Sequence, residues 1–178
     1  MNEIWTIRPG ADEYAPYFGR YIDLVPDGDL LQTLREQFVP TIQLLAPLRE
    51  EQANYRYAEG KWSVKEVLGH MIDTERIFAY RVLRIARNDA TPLPGFEQDD
   101  YVKYGPHARQ PWSDLIEELQ VVRSATLCLL RGLDGEALAR RGTSSNSPAS
   151  ARALAWVIAG HERAHMTVFH ERYSAVLS

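Results

Sequence analysis

Near the end of the sequence, three histidines lie within a short run. They occupy positions 161, 165 and 170 of the segment GHERAHMTVFH. The residues HERAH fit H-E-x-x-H, the zinc-protease motif, in which two histidines one helical turn apart bind the metal and the glutamate acts as general base. The spacing raises two questions: whether these residues bind a metal, and whether the third histidine belongs with the other two.

A helical wheel separates the three histidines. At about 100° per residue, His165 lies about 40° from His161, on the face that also carries Val157 and Ile158. His170 lies about 180° from His161 on the same wheel, so we expect it at the surface. His161 and His165 are therefore predicted to point into the protein core.

Two imidazoles in a core need polar partners, because an unpaired buried polar group costs about 1–3 kcal/mol. A divalent metal would satisfy both histidines at once, and their i, i+4 spacing on a helix suits one ion. Core histidines that bind a carboxylate or a water are the competing interpretation. This pair alone does not decide between the two.

The protease interpretation needs a third ligand downstream of the motif. Neither His170 nor Glu171 can fold back from the same predicted helix, the extended H-x-x-G-x-x-H spacing is absent, and no strand pattern accompanies the motif. We therefore do not favour a zinc protease. Glu162 becomes a carboxylate on the helix face beside an arginine, with a role near a metal-bound water as the alternative.

A third metal ligand must then come from upstream, where two histidines remain. His107 lies in a long loop. His70 lies on an earlier predicted helix, after Gly69, a residue small enough to allow close helix approach. On the wheel His70 lies about 120° from the centre of the apolar stripe, at its edge, so the interpretations as a cleft residue and as an exposed histidine both stay open.

Periodicity and capping signals predict four helices, at 29–47, 63–88, 113–132 and from 147–150 almost to the end. The second has the clearest start, a capping box of Ser63 and Glu66. Pro40 should kink the first. The arginines at 81, 84 and 87 are interpreted as complements to the negative end of the second helix.

The remaining segments connect these helices. Residues 1–28 are expected to form an irregular arm whose aromatic side chains pack on the body. Residues 89–112 are rich in Pro, Gly and Asp and are predicted to form a long loop. A helix of about 24 residues is about 36 Å long, and a loop of about 22 residues can span that length. We predict an all-α four-helix bundle, one domain over 1–178, with a crossover between helices two and three.

Composition excludes several classes of protein. The formal net charge of −4 argues against a nucleic-acid partner, which usually meets a basic surface. The single cysteine, Cys128, excludes an internal disulfide and fits a reducing compartment; its apolar neighbours predict an inert core residue. No signal peptide or bilayer-length apolar run is evident, so we expect a cytoplasmic protein without a membrane partner.

The run YAEGKWSVKEVLGHMIDTERIFAYRVLRIAR at 57–87, with the later AGHERAH and ERY, resembles DinB-like proteins. This DNA-damage-inducible family includes bacillithiol transferases and is related to mycothiol-dependent maleylpyruvate isomerases. The likeness covers most of the chain and rests on the combination of KWS, GHxxDxE and HxxxH. It implies an up-down-down-up four-helix bundle and a divalent metal held by three histidines, which by position are His70, His161 and His165.

Three histidines and a water would form an open site, the arrangement that serves catalysis. A metal there would lower the pKa of the water or of a substrate thiol. Asp73, Glu75 and Glu162 are candidates to support the ligands through hydrogen bonds. Because Glu75 interrupts the apolar stripe, we expect it to be buried with a partner; for Asp73 a solvated helix face is the competing interpretation.

These expectations lead to a metal-dependent enzyme, most concretely a thiol S-transferase acting on a low-molecular-weight thiol. Tyr101, Tyr104, His107 and Arg109 of the loop would then line the substrate. A hydrolase of a small amide or ester is an alternative in the same site. A non-catalytic metal-binding stress protein is a third hypothesis. Imidazole ligands suit several metals, of which we favour zinc or nickel, and the aromatics of the arm are compatible with a homodimer.

Overall fold

The computed structural model of the chain describes residues 3–177. Its elements, numbered in chain order, are α1 (Gly19–Ile22), α2 (Leu30–Glu36), α3 (Phe38–Leu45), α4 (Glu50–Ala53), α5 (Val64–Ala86), α6 (Gln98–Tyr104), α7 (Trp112–Arg131), α8 (Gly135–Ala139), β1 (Arg141–Ser144), β2 (Ser147–Ser150) and α9 (Ala151–Arg172). Short 3₁₀ turns lie at Glu3–Trp5, Ala11–Glu13, Pro16–Phe18 and Ser174–Val176. The first two residues of the predicted arm and the last residue of the chain lie outside the described residues.

Four long helical stretches form a four-helix bundle: α2 with α3, α5, α7 and α9. Side-chain contacts fix the directions of α5 and α9. His70, in the first half of α5, faces His161 in the middle of α9, whereas the carbonyl of Trp62, just before α5, accepts a 2.6 Å bond from the Tyr173 hydroxyl just after α9. The two helices are therefore antiparallel.

The helices α5 and α7 run in the same direction. Lys65, at the start of α5, donates a 2.7 Å bond to the carbonyl of Gln110, just before α7. Arg76, further along α5, pairs with Glu118, further along α7. The connection 87–111 must therefore cross the length of the bundle, as the sequence predicted, and it contains the short helix α6, which the sequence did not reveal.

The first helical stretch, α2 with α3, is antiparallel to α7. The indole of Trp112, at the start of α7, donates to the carbonyl of Leu45 at the end of α3, at 3.1 Å. Arg123, in the second half of α7, donates to the carbonyl of Leu34 in α2, also at 3.1 Å. Together these contacts define the up-down-down-up topology that the sequence resemblance implied.

Local chemistry explains where the main helices begin. The Ser63 hydroxyl accepts from the Glu66 amide at 3.3 Å and the Glu66 carboxylate accepts from the Ser63 amide at 2.7 Å, which is the predicted capping box. The Ser150 hydroxyl accepts from the Ala153 amide at 2.9 Å, so the last helix begins after Ser150 rather than at residue 147.

The predicted kink in the first helix is a break between α2 and α3 at Gln37. The last residue of α2, Glu36, lies four residues before Pro40. A proline ring clashes with the carbonyl four positions earlier and offers it no amide hydrogen, so the helix breaks there. The third helix begins at Trp112, one residue before the predicted start at Ser113. The Cys128 prediction was wrong: its side chain is exposed on the outer face of α7.

The sequence also predicted no strand, whereas the polar segment before α9 forms the antiparallel hairpin β1–β2. Ser145 and Asn146 connect its strands, with φ values of 52° and 62°, the conformation of a tight two-residue hairpin turn. The amide of Leu93, in the crossover, donates to the carbonyl of Thr143 at 2.9 Å. The hairpin escaped detection because its small polar residues lack the alternation typical of a strand.

Two glycines, each directly before a clustered histidine, admit the connecting segments. A Cβ on Gly69 would lie 2.1 Å from Cγ of the buried His107 in the crossover, so Gly69 accommodates the crossover rather than a helix. A Cβ on Gly160 would lie 2.0 Å from the carbonyl oxygen of Tyr21, in α1. The N-terminal arm thus packs on α9 through its backbone.

No helix among residues 3–177 has the length and apolar character needed to cross a membrane.

We predict that Gly160→Ala releases the N-terminal arm. Alanine favours a helix by about 1 kcal/mol, but overpacking against a backbone carbonyl costs about 1–3 kcal/mol or more. We expect a net loss of unfolding free energy in urea, and faster trypsin cleavage after the exposed Arg20. Gly132→Ala is the control, because its Cβ would meet only ordinary contacts. Equal behaviour of the two variants would contradict the packing argument.

Candidate metal centre

Three histidines from two antiparallel helices converge at one point. Nε2 of His70, on α5, lies 3.1 Å from Nε2 of His161, on α9, which in turn lies 3.1 Å from Nε2 of His165. Each residue offers one ligand atom, and these atoms all lie within 4.8 Å of one another. The structure therefore brings together the three histidines selected from the sequence, and it leaves His170 exposed.

The three ring nitrogens cannot satisfy one another by hydrogen bonding. A neutral imidazole carries one N–H, so the central Nε2 of His161 can share at most one proton with its two neighbours. Nitrogen ligands 2.0–2.1 Å from a tetrahedral zinc ion stand about 3.3 Å apart, close to the 3.1 Å spacing found here. The donor set and its spacing therefore fit a divalent metal ion.

Burial keeps these histidines neutral near pH 7. Desolvation lowers the pKa of His70 to about 4, although the charge of Asp99 partly opposes the shift. Desolvation likewise lowers the pKa of His165 to about 3 and holds that of His161 well below its ordinary value. A neutral imidazole has the free lone pair that metal binding requires.

The other faces of the rings are held mainly by packing. The Trp62 ring lies 5.0 Å from that of His70, and the Tyr21 ring meets that of His161 edge-on at 5.4 Å. Thr74, one turn after His70, places its hydroxyl 3.5 Å from Nδ1 of His70. Nδ1 of His165 is buried and has no hydrogen-bond partner within residues 3–177.

Two of the predicted supporting carboxylates bind an arginine instead of the histidines. Arg123 of α7 contacts both oxygens of Glu75, at 2.9 and 2.8 Å, and one oxygen of Glu162, at 2.8 Å. All three side chains are buried. Glu162 also accepts bonds from Gln37 and, at 2.7 Å, from the Thr41 hydroxyl. Burial disfavours the charge of Arg123, but the two carboxylates outweigh it and raise its pKa.

The third predicted carboxylate, Asp73, lies at the crossover. Its side chain is partly exposed, 3.5 Å from Nε2 of His107 and 3.9 Å from Arg76. Burial raises the pKa of Asp73. No hydrogen bond in the described chain joins Asp73, Glu75 or Glu162 to the three histidines. Offsets of five residues and one residue from the nearest histidine turn Glu75 and Glu162 toward other faces of their helices. Asp73, three residues after His70, shares its side of α5 but lies near His107 and Arg76.

Two of the three clustered histidines border a cleft of about 900 Å³. His70 and His161 lie in its wall, and further residues come from the N-terminal arm, α5, the crossover and the hairpin. Of the four crossover residues predicted to line substrate, Tyr101 borders the cleft. Tyr104 and Arg109 are exposed outside it, and His107 is buried against Gly69.

Several residues that border the cleft were not predicted from the sequence. Tyr21 reaches it from the arm, and Thr74 and Arg81 reach it from α5. A usable signal existed for Arg81, because eleven residues after His70 correspond to about three helical turns, so both residues share one face. Its position near the end of the helix had instead suggested an interaction with the helix dipole.

Fold and site together define a class of protein, the four-helix bundles whose second and fourth helices carry a cluster of histidines. The family model of the DinB superfamily matches residues 33–169, and the chain belongs to this superfamily. The sequence resemblance to DinB-like proteins is thereby confirmed.

Among solved structures, the chain is similar to YfiT from Bacillus subtilis, described as a probable metal-dependent hydrolase with an unusual four-helix bundle topology. The TM-score is 0.71 at 14% identity, covering 95% of this chain and 93% of that chain. At this identity the similarity demonstrates the shared fold. No curated protein matches the sequence.

We predict that Arg123→Met destabilises the protein by about 3–5 kcal/mol, because it leaves two carboxylates buried without a counter-charge. The half-exposed Arg76, which pairs with Glu118, provides the control: Arg76→Met should cost less than about 1 kcal/mol. Urea unfolding measures both. The loss of unfolding free energy in the Arg123 variant should be smaller at lower pH. Buried carboxylates without a counter-charge have raised pKa values and take up protons in the folded state. Equal losses in the two variants would contradict this role.

Proposed function

We propose that this protein is a metal-dependent enzyme that acts on a small molecule at the site formed by His70, His161 and His165. The observation that carries the proposal is the convergence of three imidazoles, two of which lie in the wall of a large cleft. Three protein ligands leave a coordination position for water or substrate. A divalent ion, zinc or nickel, would supply a nucleophile near neutral pH by lowering the pKa of a water or a thiol.

Hydrolysis of a small amide or ester is the reaction that the comparison supports, since the structural neighbour YfiT is described as a probable metal-dependent hydrolase. The chain's own groups would orient the substrate and move protons. Asp99 borders the cleft, and its charge acts on His70. It is therefore the candidate to accept a proton from the attacking group and return it to the leaving group.

Transfer of a low-molecular-weight thiol is the second candidate, and the size of the cleft favours it. Small-molecule pockets span about 300–1,000 Å³, and the cleft of about 900 Å³ lies near the upper end. A transferase must hold a thiol and an electrophile together, whereas a hydrolase needs room for one substrate and a water. Asp99 would accept the thiol proton in this reaction.

We predict that the purified protein contains about one divalent ion per chain and that each of His70→Ala, His161→Ala and His165→Ala lowers metal affinity more than tenfold. Loss of a ligand should exceed the roughly 10–100-fold effect of losing a residue that supports one. Elemental analysis of native and reconstituted protein gives the measurement and identifies the metal. His170→Ala is the matched control, because this exposed histidine lies outside the cluster. Unchanged metal content in the His70 variant would refute the three-histidine site.

We predict turnover by the reconstituted protein in one of two assays and none in His161→Ala. The first assay follows hydrolysis of a panel of small amides and esters. The second follows consumption of a thiol in the presence of electrophiles. Hydrolysis without thiol consumption establishes the first candidate, and the reverse establishes the second. A fully metal-loaded protein inactive in both would be a non-catalytic metal-binding protein, and the enzymatic proposal would be abandoned.

A further inference from the structure

Arg81 is a buried cation that borders the cleft without an acidic partner. Only 3% of its surface is exposed. Its hydrogen bonds to protein atoms use Nη2 alone, which donates to the carbonyl of Pro94 at 2.7 Å and to the hydroxyl of Ser145 at 3.1 Å. Within residues 3–177, no carboxylate pairs with its guanidinium, and Nε and Nη1 donate to no protein acceptor. Nε and Nη1, on opposite sides of the guanidinium, therefore remain free to donate to a ligand.

The other buried arginine shows how this fold treats a cation with a structural role. Arg123, 2% exposed, has two carboxylates from neighbouring helices. Among the described residues, the hydrogen-bond partners of Arg81 are neutral, and its guanidinium lies against the rings of Phe78 and Phe96, 5.2 and 5.8 Å from their centroids. Burying a charge without a counter-charge is costly, and burial lowers the pKa of Arg81 accordingly. A ligand anion would supply the missing partner.

The position of Arg81 relates it to the histidines. Arg81 and His70 lie on the same face of α5, eleven residues or about 16 Å apart along the helix axis. Side chains on a helix lean toward its N-terminus, so the guanidinium reaches back toward His70. Both residues border the same cleft, and Thr74 and Phe78 lie between them. A ligand that contacts both must be elongated.

We propose that Arg81 binds the carboxylate of an elongated acidic substrate whose reacting group lies at the three histidines. This inference rests on the function proposed for that site and specifies its substrate class. The free Nε and Nη1 groups can donate charge-assisted hydrogen bonds to carboxylate oxygens. Phe78 and Phe96 provide an apolar wall for the chain between the two ends.

The charge distribution favours a monocarboxylate over a phosphate or a polyanion. Arg81 is a single buried cation, so it balances one negative charge. Glu97, Asp99 and Asp100 border the same cleft and would repel further anionic groups. The remainder of the substrate is therefore expected to be neutral or cationic.

Mercapto acids of increasing length test the inference on the metal-loaded protein. Mercaptopropionate, mercaptohexanoate and mercaptooctanoate are compared with their neutral amides by calorimetric titration. A charge-assisted contact should favour the acid over the amide about tenfold or more, and only for chains long enough to span the site. Arg81→Gln should abolish this preference and Arg81→Lys should retain part of it.

Arg87→Gln is the matched control, because Arg87 directly follows the last residue of the same helix and its side chain is exposed. Circular dichroism and metal content establish that each variant is folded and loaded. Equal binding of acid and amide at every length, or an acid preference that survives in Arg81→Gln, would overturn the inference. Loss of the preference in both glutamine variants would also overturn it, since it would indicate general charge attraction.

A second experiment tests the Arg81 site independently of the metal site. Hexanoate and hexanamide are titrated into chelator-treated protein and followed by NMR chemical shifts, which needs no metal and no activity. Selective binding of hexanoate that disappears in Arg81→Gln supports the Arg81 site even if the protein binds no metal. If the protein binds metal and thiols but binds the acid no more tightly than the amide in either experiment, the Arg81 inference fails while the metal site stands.

Discussion

The buried contacts of Arg123 tie all four helical stretches of the bundle together at one level. Its guanidinium lies between Glu75 of α5 and Glu162 of α9 and also donates to the carbonyl of Leu34 in α2. Such a network is stable only when every member has its partners, because each buried charge left alone is costly. It therefore fixes the rotation of α5 and α9 about their axes. Residue 161 precedes Glu162 by about 100° on its helix, so the rotation that buries Glu162 against Arg123 also directs His161 toward His70.

The segments that close the site pack at the residue before each histidine. The crossover places His107 on Gly69, and the arm places the Tyr21 carbonyl on Gly160. Any larger residue at either glycine would push a connecting segment away from the helices. These close approaches explain why two regions that look irregular in sequence form walls of the cleft, since the body leaves room for each of them at one defined point.

The sequence predicted the features that depend on local signals. The capping box at Ser63, the core-facing pair His161 and His165 and the length of the crossover are all properties of short segments. The partners of the carboxylates were not predictable in this way. Glu75 and Glu162 find Arg123 on a third helix, 48 and 39 residues away along the chain, and no periodicity encodes that pairing.

Other features that the sequence did not predict have related causes. The exposure of Cys128 was not predicted, because its neighbours in the sequence are apolar. The hairpin before α9 was not predicted, because it consists of small polar residues whose strands pair with each other and with the crossover. Arg81 was overlooked because an arginine near a helix end has a common electrostatic explanation. Its shared face with His70 becomes meaningful only once the arm, the crossover and the hairpin enclose that face as a cleft.

The two buried arginines define opposite uses of the same side chain. Arg123 has its counter-charges within the chain, so it stabilises the bundle. Arg81 is also buried but keeps Nε and Nη1 free and borders the cleft, so its desolvation is offset only when a ligand brings a carboxylate. Binding energy gained far from the reacting atoms can position a substrate for reaction. A cleft with a nucleophile-generating site at one end and a single carboxylate-binding residue at the other would hold its substrate at both ends, and this constraint applies equally to hydrolysis and to thiol transfer.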